Sequence, residues 1–229
     1  MREAMIWIDI ISDTVCPWCF IGKRRLETAL RERPDHEYQI GWRPFQLNPE
    51  LPKGGMDRRQ YLALKFGGGE RAEQIYSHVT SAGRQERIAF DFAAMRRQPN
   101  SFDSHRLIRW AAQTQAQDAV VEELFRRYFT EGADIGSRAV LLEVAQACGM
   151  DAGEVKRLLD TGTDSETVRE EEQVARRMGV NGVPCFIVDR KYAVSGAQDA
   201  SVLVNVFDLA ARDRQDGRVP QAAEGAIEG

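Results

Sequence analysis

Cys16 and Cys19 stand three residues apart in the run Cys16-Pro17-Trp18-Cys19. Two thiols at that spacing, on the first turn of a helix, can close and reopen a disulfide without distorting the helix. The unsatisfied main-chain N–H groups of that turn and the helix dipole favour negative charge there. Cys16 is therefore the expected thiolate, its pKa falling below the free value of about 8.5 toward the range of roughly 3.5–7.5 found in such settings. Cys19, one turn deeper, is shielded and is expected to resolve. Pro17 suits the first helical position, and Trp18 sits between the two thiols. The competing chemistry is zinc, but a closed site needs two more ligands. Cys148 and Cys185 are isolated, and His36, His78 and His105 show no paired spacing. A structural disulfide is disfavoured if the chain lives in a reducing compartment.

A second feature is Gly182-Val183-Pro184, just ahead of the apolar run Cys185-Phe186-Ile187-Val188. An X–Pro bond there is either an ordinary trans bond at a strand entrance or a cis one, and spacing leaves both open. With Pro184 beside the start of the first helix, Val183 offers its main-chain groups to an extended substrate by strand addition.

The elements that must position these residues follow from periodicity. Residues 5–13 read as a buried strand, 20–30 as a helix and 38–47 as a second strand, with Pro44 marking an edge or bulge. Residues 56–178 are helical almost throughout, broken by Gly67-Gly68-Gly69, Pro99-Asn100, Gly132, Gly149 and Gly162. Residues 185–188 and 192–195 form a hairpin, turning at Arg190-Lys191, and 200–212 a last helix. The order is βαβ, a long helical insertion, then ββα. That gives a discontinuous sheet-based domain at 1–55 and 179–213, a helical insertion at 56–178, and a polar, Gly-rich, disordered tail at 214–229. The expected fold class is α/β.

Composition sets the boundaries of function. The 229 residues carry 31 Lys and Arg against 35 Asp and Glu, a net charge of −4, which leaves no broad basic field for nucleic acid. Hydrophobic residues are 43% of the chain, enough for a real core. No stretch approaches the roughly 18 apolar residues of a membrane span, and residues 1–6 lack the apolar core of a secretory signal. The expected location is the cytoplasm, where four cysteines are better read as chemistry than as staples.

The strand leading to Cys16-Pro17-Trp18-Cys19, the helical insertion and the Gly182-Val183-Pro184 turn together resemble the DsbA-like oxidoreductases of the thioredoxin fold. The likeness is strongest to the cytoplasmic FrnE-type branch, through Asp13-Thr14-Val15-Cys16-Pro17-Trp18-Cys19-Phe20-Ile21-Gly22, Leu47-Asn48-Pro49, Lys65-Phe66-Gly67 and Asn100-Ser101-Phe102-Asp103-Ser104-His105-Arg106. The resemblance implies a thioredoxin fold (βαβ…ββα) interrupted by an all-helical insertion, with Pro184 a cis-proline facing the dithiol. It implies Cys16 as nucleophile, Cys19 as resolving residue, and the segment holding Asn100 and His105 as a contact for substrate or glutathione. The activity implied is thiol–disulfide exchange on a protein or small-molecule substrate through a mixed disulfide. No metal or bound cofactor is required, with glutathione as redox partner or ligand. Trp18 departs from the histidine usual in periplasmic relatives and implies a less oxidising pair. A related group on this fold, 2-hydroxychromene-2-carboxylate isomerases and kappa-class glutathione transferases, typically has serine where Cys16 stands. A glutathione-dependent isomerase or transferase is the alternative enzyme, and a redox-regulated holdase the non-enzymatic one. Cys185 reads as a buried thiol, with a third redox-active thiol as the sharper alternative. Glu170-Glu171-Glu172 with Arg176-Arg177 reads as a solvated helix face.

Overall fold

β1 (Ile6–Ser12) alternates as a strand with one face in the core must: Ile6, Ile8 and Ile10 are buried while Trp7 stands at the surface. α1 (Pro17–Glu32) begins on Pro17, whose missing N–H costs nothing at that position, and buries the face formed by Cys19, Phe20, Ile21, Gly22, Lys23, Leu26 and Ala29. β2 (Tyr38–Pro44) returns parallel to β1, with Ile6 opposite Tyr38 and Ser12 opposite Pro44. The computed structural model describes residues 5–217.

The segment between β2 and the second half of the sheet opens with β3 (Met56–Asp57), which pairs with β4 (Arg97–Gln98) as a short antiparallel ribbon. Between and after these strands come α2 (Arg58–Phe66), α3 (Gly69–Gln85), α4 (Phe102–Ala111), α5 (Gln117–Glu131), α6 (Arg138–Ala147), α7 (Ala152–Thr161) and α8 (Ser165–Arg177). Local chemistry sets several ends. Asp57 and Asp151 accept the first N–H groups of α2 and α7. Gly67, Gly132 and Gly162 close α2, α5 and α7 in the left-handed conformation. Residues 88–92 interrupt the helical run and form neither helix nor strand.

β5 (Cys185–Val188) runs antiparallel to β1, and β6 (Tyr192–Ser195) antiparallel to β5, so the sheet order is β2-β1-β5-β6. Pro44 therefore lies on an edge strand, where its missing donor is tolerated. The hairpin turns one residue earlier than the sequence reading: Asp189 and Arg190 take positive φ (51° and 55°), the pattern of a type I′ turn. α9 (Ala200–Gln215) outlasts its expected end. Arg214 pairs with Asp189, and Tyr192 donates to Asp213 at 2.5 Å, so the tail expected from 214 cannot begin there. Residues 218–229 of that expected tail lie outside the described residues.

One apolar core runs from the sheet through α1 into α5, α6 and α7. Phe20 on α1 stacks on Phe125 at 5.2 Å between centroids, and Phe90 and Phe129 pack around the pair. The helical segment thus shares its core with the sheet. Trp42, Phe45 and Trp110 are buried, as core aromatics should be.

Candidate active site

The loop from β1 to α1 sets the dithiol. Asp13 O accepts from Cys16 N at 3.0 Å, and Cys16 O accepts from Cys19 N at 3.0 Å, fixing the first turn. Cys16 is the N-cap residue of α1, in an extended conformation (φ −97°, ψ 111°), and no side chain there takes up the free N–H groups. Its residue exposure is only 4%, and that of Cys19 is 1%. The Cys16 thiol donates to Val183 O at 3.5 Å, the Val183–Pro184 peptide bond is cis, and Pro184 is buried. α1 passes close above this turn because Gly22 has no side chain: a Cβ there would lie 2.8 Å from Pro184 Cγ. Trp18, between the two cysteines in sequence, is 38% exposed.

Burial pushes the Cys19 thiol well above its ordinary range, and the adjacent Cys16 sulfur adds to that, while Ser12 and the Asp13 main chain pull back by hydrogen bonding. All four cysteines are free thiols. Tyr76, whose hydroxyl is bonded by Arg58 at 2.6 Å, is also pushed up, first by burial, with the Cys16 sulfur contributing.

A polar layer joins Asp13 and Thr14, not read as site residues from the sequence, to Ser104 and His105 of the segment that the resemblance offered as a substrate or glutathione contact. Asp13 is fully buried; its Oδ1 accepts from Val15 N at 3.3 Å and its Oδ2 from Leu47 N at 2.7 Å. Its reach to Leu47 ties the active-site loop to the segment after β2. Thr14 Oγ1 and Ser104 Oγ share a hydrogen bond at 2.7 Å, joining the loop to α4. His105, 4% exposed, points Nε2 at Asp13 Oδ1 across 3.5 Å, and no hydrogen bond closes that gap. The same histidine lines a cavity of about 180 Å³ with Trp42, Arg43, Arg109, Asp164 and Glu171 among others. Burial pushes the Glu171 carboxyl up against the pull of Arg109 and Arg43.

Asn100 is spent on the chain: it accepts from Gln46 Nε2 at 3.2 Å and Phe102 N at 2.9 Å and donates to Leu51 O at 2.7 Å. It borders a second cavity of about 260 Å³ with Gln46, Lys53, Arg106 and Arg169. The acidic run on α8 is not a uniformly solvated face. Glu172 is buried and accepts from Gln46 N at 3.1 Å and from Arg176 at 2.6 Å, while Arg176 also donates to Gln46 O at 2.7 Å. No spacing rule signals that pairing, because its partner lies 126 residues away. Cys185 is buried in a second cluster with Ile11, Phe45, Val180 and Ile187, its thiol pushed up by burial. Cys16 belongs to the main core instead. Among the described residues no group of three or more His, Cys, Asp or Glu could hold a metal ion, and no helix is long and apolar enough to cross a membrane.

This architecture has known counterparts. A crystal structure of a probable DsbA oxidoreductase from Streptomyces coelicolor superposes with a TM-score of 0.83 at 30% identity, covering 96% of this chain and 94% of that one. The cytosolic disulfide reductase DsbM from Pseudomonas aeruginosa, solved with glutathione, superposes at 0.59 with 19% identity over 93% of this chain and 99% of its own, a likeness of fold. The uncharacterised Bacillus subtilis protein YwbO is 23% identical over 215 residues, 92% of this chain and 98% of YwbO. Residues 7–208 match the model of the DSBA-like thioredoxin domain, and with a thioredoxin-type sheet carrying a long helical insertion, the chain belongs to that family of DsbA-like thiol oxidoreductases.

Proposed function

We propose that this chain is a cytoplasmic thiol–disulfide oxidoreductase working through Cys16 and Cys19. The observation that carries the reading is the asymmetry of the pair: Cys16 caps α1 against Val183 O, whereas Cys19 lies one turn deeper, fully buried and held protonated. In the reducing direction the Cys16 thiolate attacks one sulfur of a substrate disulfide. A Cys16–substrate bond forms, the substrate bond breaks, and the other substrate sulfur leaves as thiolate. Cys19 then loses its proton and attacks Cys16, releasing the second substrate thiolate and leaving a Cys16–Cys19 disulfide. The oxidising direction is the reverse. Pro17 and Trp18 shape the approach, and Val183, held by the turn at Pro184, offers the main-chain edge along which an extended substrate lies. No bound cofactor is needed. Glutathione is the proposed redox partner, a role favoured by the bound glutathione of the DsbM relative.

A glutathione redox titration followed by mass spectrometry tests the reading. The expected result is a reversible two-electron transition in which Cys16 and Cys19 interconvert between dithiol and intramolecular disulfide. A stable glutathione adduct on Cys16 with no intramolecular disulfide overturns it, in favour of glutathione-dependent isomerase or transferase chemistry.

A further inference from the structure

The cavity of about 260 Å³ beside Asn100 is walled by α4, the start of α8 and the segment after β2, and none of the four cysteines lines it. Its charge is one-sided. Lys53, Arg106 and Arg169 line it with a single carboxylate, Asp103. The chain as a whole is acidic, and the cavity that His105 lines is balanced, with Arg43 and Arg109 against Asp164 and Glu171. The Arg106 side chain is 1% exposed, so its charge is fixed in the wall. It donates to Asp103 Oδ1 at 2.7 Å, Thr163 O at 3.0 Å and Leu158 O at 2.6 Å. A guanidinium carries five N–H groups, so these bonds use three of them. Asp103 is itself shared, because its Oδ2 faces Lys53 at 3.8 Å. A buried cation whose carboxylate also answers a second cation favours a further anion close by.

Arg169 completes the set from α8. Its guanidinium carbon lies 4.8 Å from the centre of the Phe102 ring, and its partner Glu166 is turned out to solvent, outside the lining. The first turn of α8 adds charge of the same sign, since the N-cap residue Asp164 gives its carboxylate to Trp110 Nε1 at 2.8 Å and not to the N–H groups of its own helix. We propose that this cavity binds a small phosphate monoester, held by Lys53 and Arg169, with the buried charge of Arg106 behind them and Phe102 and Pro49 against the organic part. Two surplus cations match the charge of about −1.5 to −2 that such an ester carries near neutral pH, and a guanidinium fork fits phosphate oxygens. The volume falls just under the roughly 300–1,000 Å³ of ordinary ligand pockets, which keeps the occupant small. The site stands apart from thiol exchange and does not rest on the dithiol reading.

The test is calorimetric titration of the full chain with phenyl phosphate and with inorganic phosphate, in low-salt buffer near neutral pH. Saturable one-to-one binding is expected for both. Benzoate, which keeps the ring but carries one charge, should bind about tenfold more weakly than phenyl phosphate. Lys53→Gln and Arg169→Gln should each weaken phenyl phosphate about tenfold. Both side chains are at least half exposed, so the variants should fold. Should either fail to do so, wild-type amide resonances decide: those of Gly136 and Gly162, which line the cavity, should move together as phenyl phosphate saturates. Cys16→Ser should bind as wild type does. The proposal is overturned if neither phosphate binds saturably, if both lysine and arginine variants bind unchanged, or if the two glycine resonances stay still. Loss of binding in Cys16→Ser would move the anion to the start of α1, and displacement of phenyl phosphate by an equal concentration of reduced glutathione would make the cavity a peptide site; either result also overturns it.

Discussion

At the scale of single residues, the order of attack is decided by what each sulfur touches. Cys16 meets a carbonyl and the open end of a helix, while Cys19 meets Ser12, the Asp13 main chain and the core. Replacing Cys19 by Ser should therefore leave the first attack intact and trap its product. Incubated with oxidised glutathione, Cys19→Ser is expected to accumulate a Cys16–glutathione adduct that only an external thiol releases, seen as a mass increase reversed by dithiothreitol. Turnover surviving in this variant at the wild-type rate would mean that Cys19 does not resolve. Cys185 adjoins Pro184 in sequence but packs into the apolar cluster of Ile11 and Phe45, with burial holding its thiol protonated. Oxidised wild-type protein should show Cys185 free in every peptide map. Cys185→Ala should keep the redox midpoint and lose about 1 kcal/mol of stability from the small void. A Cys16–Cys185 bridge in the map would give the third thiol a redox role.

At the scale of elements, the site depends on how closely α1 approaches the turn before β5, and Gly22 permits that approach. An added Cβ would sit 2.8 Å from Pro184 Cγ and 3.2 Å from Phe186 Cζ, one in a rigid ring and the other in a core aromatic. Gly22→Ala gains up to about 1 kcal/mol of helix propensity but meets an overpacking cost of about 1–3 kcal/mol. The expected balance is a lower Tm together with a changed exchange rate, because the collision pushes α1 from Val183. An unchanged Tm and rate would show that the contact yields freely. The sequence revealed the frame of this site more readily than its floor. Alternation in β1, Pro17 at a helix start and the glycine stops were legible because each is a local preference. The β3–β4 ribbon was not, since two-residue strands have no period to read. Nor were Asp13 to Leu47 or Glu172 to Gln46, where a side chain answers a main-chain group supplied by another element. The Asn100–Arg106 stretch stood out by resemblance. The structure places His105 against Asp13 and commits Asn100 to holding the chain.

At the scale of the whole molecule, two junctions hold the helical segment to the sheet and to itself. At the first, Lys23 and Arg24 of α1 meet Asp118 and Glu122 of α5 above the Phe20–Phe125 stack. At the second, Glu123 of α5 accepts from Arg126 at 2.8 Å and Arg127 at 2.7 Å, and Arg127 continues to Glu143 on α6 at 2.6 Å. Hydrogen bonds from Arg126 and then Arg127 outweigh burial and hold the Glu123 carboxyl down at about 2, against an ordinary value of 4.5. A carboxyl depressed in the folded state contributes stability that is fully present above its unfolded pKa and disappears as pH falls through its folded one. The window is therefore from about pH 4.5 down to about pH 2. Solvent screens this partly exposed network, so its worth is on the order of 1 kcal/mol, or about 2–4 °C in Tm for a chain of this size. Glu123→Gln keeps an acceptor but removes the charge. Its Tm should lie below wild type by that amount near neutral pH, with the difference closing as the pH falls from about 4.5 toward about 2. Thermal melts of both proteins across that range measure it. A Tm difference that stays constant throughout would assign the stabilisation to the shape of the side chain, and the charge network between α5 and α6 would then contribute nothing to holding the insertion together.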